Sequence, residues 1–208
     1  MAVSAIDELE HTNRFLVQQV FKPIANEYRI SVPTPGDTQE GRPVLFVKQK
    51  KMKIKEDIRF RTTQDGDGPH EFMIKSKSVF EFRGRHDVLD AEGNVIGQLE
   101  KDFTKSLLRS HWRVRDAEGN ELVEAHEASW IIALIRRFAE LGPGWFDLLS
   151  YLPFNFVLKR GGEEAGRYKR VLGAFRDKYV MELDDAVDGV DRRLLVAFAV
   201  GLDALQDR

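Results

Sequence analysis

The most concentrated charge in the sequence lies in the segment KQKKMKIK. Its lysines are Lys48, Lys50, Lys51, Lys53 and Lys55. Because side chains alternate along a strand, Lys51, Lys53 and Lys55 would share one face. Such a face suits anionic lipid head groups, where each lysine near the surface contributes about 1 kcal/mol. The alternative is a solvated outer face whose lysines discourage pairing between sheet edges.

No set of residues predicts catalysis or metal binding. The five histidines lack H-E-x-x-H spacing and are interpreted as scattered surface or strand residues; they are His11, His70, His86, His111 and His126. The absence of cysteine excludes a thiol nucleophile and a Cys-based zinc site. Neither a G-x-S-x-G elbow nor a glycine-rich phosphate loop occurs. We therefore expect a non-enzymatic protein without a metal or cofactor.

Two further segments each allow a structural and a functional interpretation. The acidic residues Asp184, Asp185, Asp188 and Asp191 precede the last apolar run. Their spacing departs from a calcium loop, whereas capping a helix requires only one of them, so capping is favoured. The aromatic segment GPGWFDLLSYLPFNF would dip into a membrane if it were exposed. Large apolar residues are normally buried, which favours a cap over the end of a barrel.

The strands that position these residues are marked by a repeated pentapeptide, DAEGN, at 90–94 and 116–120. The flanking segments alternate apolar and polar residues, which is typical of half-buried strands. Within each copy, Asp accepts backbone hydrogen bonds, Ala and Glu fit a type I turn, and Gly takes the left-handed position. The repeat therefore predicts two tight hairpins of one antiparallel meander. Similar alternation runs through 28–32 and 44–61.

Two segments have helical periodicity instead. Ala128 to Leu141 places its apolar residues on one face, which predicts an amphipathic helix. Asp191 to Leu205 is apolar on all sides, so this helix must be enclosed. Many short antiparallel strands together with an enclosed helix predict a mainly β fold, a closed barrel threaded by its C-terminal helix.

Length, composition and charge limit the number of domains, the class of partner and the expected location of the protein. A chain of 208 residues with 42% hydrophobic residues predicts a single domain over 1–208. A net charge of −2 argues against nucleic-acid binding. The first residues are acidic where a cleavable leader would be basic, and the apolar run Leu194 to Leu202 is shorter than the roughly 20 residues of a membrane span. We expect a cytoplasmic protein that is not membrane-spanning.

The order of three motifs carries a family resemblance. They are the D-x-x-G-N hairpins, the strand pair KDFTKSLLRSHW and the closing AVGLDAL. Together they resemble LURP-one-related and phospholipid-scramblase-like proteins of the Tubby C-terminal-like superfamily, over nearly the whole chain. The resemblance implies a barrel of about twelve strands around a central hydrophobic helix.

The expected function is binding of anionic phospholipid at a membrane surface, with the five lysines as the candidate site. A protein-interaction module without lipid binding is the alternative. Phospholipid scrambling is the third possibility; it would require a membrane-inserted segment, and the C-terminal helix is needed as the core of the barrel.

Overall fold

The computed structural model describes residues 4–21, 25–50, 57–64, 68–76, 84–102, 111–127, 155–171 and 178–205. Twelve strands form one closed antiparallel barrel, in which each strand pairs with its neighbours in sequence and the first pairs with the last. The strands are β1 (Arg14–Phe21), β2 (Ala25–Thr34), β3 (Asp37–Lys50), β4 (Ile58–Arg61), β5 (Phe72–Ser76), β6 (Arg85–Asp90), β7 (Val95–Asp102), β8 (His111–Asp116), β9 (Glu121–Glu127), β10 (Asn155–Arg160), β11 (Glu163–Arg170) and β12 (Lys178–Leu183). The described helices are α1 (Ala5–Glu10), α2 (Arg192–Ala204) and a 3-10 turn, Asp185–Val187. The predicted barrel of about twelve strands is confirmed.

The C-terminal helix α2 fills the interior of the barrel. Every residue from Leu194 to Val200 is at most 1% exposed. The Phe198 ring meets Trp112 of β8 and Phe156 of β10 edge to face, with both pairs of ring centroids 6.4 Å apart. The Tyr168 hydroxyl of β11 donates a hydrogen bond of 3.1 Å to the carbonyl of Ala199. The predicted enclosed helix is confirmed.

Asp191 is the N-cap of α2. Its carboxylate accepts a hydrogen bond of 2.9 Å from the backbone N–H of Arg193, and it also binds the Arg193 guanidinium. A carboxylate in this position accepts a hydrogen bond from a backbone N–H that has no partner within the helix, and its negative charge complements the helix dipole. The capping interpretation of the acidic segment is confirmed at Asp191.

Both DAEGN copies form hairpin turns. Gly93 and Gly119 have φ of 90° and 91°, the left-handed conformation expected for that position. The Asn that closes each copy donates its backbone N–H to the Asp carboxylate at 2.7 Å. The Asn94 side-chain amide, with nearby backbone N–H groups, holds the pKa of Asp90 below its usual range, and Asn120 acts likewise on Asp116. The predicted hairpins are confirmed.

Two elements differ from the sequence analysis. The alternation through 44–61 is uninterrupted in sequence, but its two ends belong to different strands, β3 and β4, which pair antiparallel. Helix α1 was not predicted; a capping box between Ser4 and Asp7 starts it, and Leu9 anchors it in the core. The predicted amphipathic helix, 128–141, lies outside the described residues. So does the aromatic segment up to residue 154, whereas Phe156 is buried in the core.

Gly97 is the point where β7 comes closest to α2. A Cβ atom at this position would meet the carbonyl oxygen of Arg115 and would lie 2.7 Å from Cδ2 of Leu194. Neither group has room to withdraw, because Arg115 belongs to the adjacent strand and Leu194 is packed in the core.

We therefore expect Gly97→Ala to lower the free energy of unfolding by about 1–3 kcal/mol, the usual cost of overpacking. Urea denaturation measures this change. Gln98→Ala, on the opposite face of the same strand, is the control and should stay within about 0.5 kcal/mol of the parent protein. Equal stability of the Gly97 and Gln98 variants would contradict the close packing of β7 against the helix.

Candidate functional site

The outer face of the barrel carries a concave pocket across its first four strands. The pocket is a shallow depression that is open to solvent. Its polar lining comes chiefly from Glu27, Arg29, Lys48 and Arg61, and Phe46 supplies an apolar wall.

Strand register brings these side chains together. Arg29 of β2 lies opposite Phe46 of β3, which in turn lies opposite Arg61 of β4. The adjacent row, formed by Tyr28, Val47 and Phe60, is buried in the core. Because neighbouring residues of a strand point to opposite faces, the row containing the two arginines faces outwards.

Cationic side chains predominate among the described residues that line the pocket. Arg29, Lys48 and Arg61 are cationic, and Glu27, which lies opposite Lys48 in the register, is the anionic one. Arg61 is only 9% exposed, and its Nε donates a hydrogen bond of 2.9 Å to the carbonyl of Gly68. Because the guanidinium is planar and rigid, this single bond from Nε fixes the orientation of the whole group at the wall of the pocket.

Arg29 differs from Arg61 in having an unsatisfied donor. Its Nε is buried, and within the described part of the chain it has no hydrogen-bond partner. A buried donor without a partner costs about 1–3 kcal/mol, more when the group is charged.

The predicted lysines are placed only in part. Lys48 is exposed and lines the pocket. Lys50 is the last residue of β3, and its side chain lies outside the described residues. Lys51, Lys53 and Lys55 also lie outside the described residues, so their shared face stays a prediction.

Sequence reasoning missed Arg29 and Arg61 as site residues. The alternation in EYRISV already indicates that Arg29 faces away from Tyr28 and Ile30. What brings Arg29 to Arg61 is the register of three strands, which the alternation of a single strand does not specify.

The histidines also differ from the expectation. His111 of β8 and His126 of β9 are directly opposite in the register, and Glu124 lies beside them. Their rings stack with centroids 4.4 Å apart. The interpretation of the histidines as scattered residues is therefore wrong for this pair.

A comparison with known proteins identifies the family of this chain. A family model described as LURP-one-related matches residues 44–203, which is most of the chain. The chain belongs to the LURP-one-related family. No curated protein gives a significant match. The matched range of this LURP-one-related protein includes Phe46, Lys48 and Arg61, while Arg29 precedes it.

The described helices do not provide a membrane span. None of them is long and apolar enough to cross a bilayer.

The contrast between the two arginines predicts different effects on stability. Arg61→Gln removes a buried, charge-assisted bond to a carbonyl and should lower the free energy of unfolding by about 1–3 kcal/mol. Arg29→Gln removes a guanidinium whose Nε has no hydrogen-bond partner among the described residues, and it should lower the free energy of unfolding by no more than about 0.5 kcal/mol. Urea denaturation of both variants measures the difference. If the Arg29 variant were the less stable of the two, Arg29 would have a structural role and not a ligand-binding one.

Proposed function

We propose that this LURP-one-related protein binds a phosphate-bearing anionic lipid head group at a membrane surface, through the basic pocket of β2, β3 and β4. The observation that carries the proposal is that Arg29, Arg61 and Lys48 line one pocket on the outer face of the barrel. A phosphate group provides acceptor oxygens for all three cationic side chains.

The side chains suit the geometry of a phosphate. Guanidinium groups bind phosphate through paired N–H donors, and two of them reach the same pocket from β2 and β4. Lys48 at its exposed position adds a mobile point charge. Phe46 lies between the two arginines in the register and offers an apolar surface to the part of the ligand next to the phosphate.

The segment that follows β3 would strengthen attraction to a membrane. Lys50, Lys51, Lys53 and Lys55 come directly after Lys48 in the sequence. Each lysine close to an anionic surface contributes about 1 kcal/mol, and the effect decays over a Debye length of about 10 Å at 0.1 M salt. Since the whole chain carries a net charge of −2, the attraction depends on local clustering and not on total charge.

The alternative is a protein-interaction module, in which an acidic partner would occupy the same pocket. Scrambling is not part of the proposal, because the helix that it would have to insert into the bilayer forms the core of the barrel.

Sedimentation with liposomes tests the proposal. The parent protein should bind vesicles containing phosphatidylinositol phosphate or phosphatidylglycerol, more weakly as salt rises, and should not bind neutral phosphatidylcholine vesicles. Arg29→Gln/Lys48→Gln removes two charges, worth about 2 kcal/mol, and should weaken binding about thirtyfold. Lys51→Glu/Lys53→Glu/Lys55→Glu tests the lysine segment separately from the pocket.

The matched control is Lys159→Gln/Lys169→Gln, which removes the same charge from β10 and β11 on another side of the barrel. This variant should bind as the parent does. Soluble inositol phosphate should compete with the vesicles for the protein if the pocket binds the head group itself. Absence of binding at low salt, or an equal loss in the control variant, would contradict the proposal and favour a protein partner.

A further inference from the structure

We propose that His111, Glu124 and His126 form a binding site for a divalent transition-metal ion such as Zn²⁺ on the outer face of β8 and β9. The chain offers no cysteine, so such a site must be built from nitrogen and oxygen ligands.

The register of two strands assembles the three ligands. His111 pairs with His126, and the neighbouring pair of Trp112 with Ala125 is buried in the core. Glu124 lies two residues before His126, on the same outward face of β9. The site therefore rests on a rigid hairpin, whose turn is the second DAEGN copy.

The ligand atoms are already close to metal-binding separations. Glu124 Oε2 lies 3.1 Å from His126 Nε2 and 3.3 Å from His111 Nε2. Ligands of a tetrahedral zinc ion, at about 2.0–2.1 Å from the metal, lie roughly 3.3 Å from one another. All three ligand atoms lie within 4.8 Å of one another. Coordination would require the two stacked imidazole rings to turn so that their ring nitrogens point at a common ion.

A second carboxylate, that of Asp102, lies near the other ring nitrogen of His111. Asp102 Oδ2 of β7 lies 3.6 Å from His111 Nδ1, a buried nitrogen that lacks a hydrogen-bond partner in the part of the chain that the structure describes. Arg113 holds this carboxylate with a bond of 2.8 Å. Metal-ligating histidines commonly donate their second ring N–H to a carboxylate, which fixes the tautomer and makes the ligand more basic. Metal binding would draw Nδ1–H towards Asp102.

The charges around the site also favour a cation. The charge of neighbouring Arg113 is compensated by Asp102 and by Glu121, whose Oε2 lies 3.2 Å from Arg113 Nε.

The site is accessible from solvent. The side chains of His126 and Glu124 are 41% and 26% exposed, while that of His111 is 3% exposed. A metal held by three protein ligands would keep an open position for water. Imidazole and carboxylate together suit zinc and its first-row neighbours, whereas calcium and magnesium prefer all-oxygen sites.

Isothermal titration with zinc chloride in a non-chelating buffer tests the site. The parent protein should bind one ion per chain, and cobalt should give the visible absorption of tetrahedral coordination. His126→Gln and Glu124→Gln, at partly exposed positions, should each weaken zinc binding at least about tenfold. His11→Gln is the matched control and should bind as the parent does.

Thermal unfolding gives a second readout. Zinc should raise the Tm of the parent and of the His11 variant, but not that of the His126 variant. The Arg29→Gln/Lys48→Gln protein should keep its zinc affinity, because the basic pocket lies on different strands. Absence of zinc binding by the parent, or binding unchanged in both the His126 and Glu124 variants, would overturn the proposal.

Discussion

The enclosure of α2 by the barrel is the constraint on which the rest of the structure depends. A helix that is apolar on every side is stable in water only when it is surrounded, and here twelve strands surround it. The helix fills a lumen that strand side chains alone would leave partly empty. It thereby determines which residues of each strand face inwards, among them Trp112, Phe156 and Tyr168.

Because the inward residues are fixed, the outward residues and their register are fixed as well. The row of Arg29, Phe46 and Arg61 is the outer counterpart of Tyr28, Val47 and Phe60. His111 and His126 are the outer counterparts of Trp112 and Ala125. A slip of one residue would exchange the faces and destroy both candidate sites together with the core. The positions of both candidate sites thus follow from how the interior of the barrel is packed.

The fold was predictable from the sequence to the extent that its signals are local. The apolar last segment indicates an enclosed helix, and the repeated DAEGN indicates hairpins, because both patterns act within a few residues. The strand number followed from family resemblance. Helix α1 also had a local signal, the Ser4–Asp7 capping box, which sequence reasoning did not use. The candidate sites were harder to predict, since Arg29 and Arg61, or His111 and His126, meet only through pairing between strands. Alternation within one strand shows which face a residue occupies but not which residue lies opposite.

Native-state hydrogen exchange, read residue by residue, tests the central claim most directly. If α2 is the core of a closed barrel, the amides from Leu195 to Val200 can exchange only when the whole barrel opens. Their opening free energies should then equal the global free energy of unfolding and match those of the slowest strand amides. Exchange of these helix amides at markedly lower free energy, while the strands stay protected, would show that the helix can leave an intact barrel and would contradict the account.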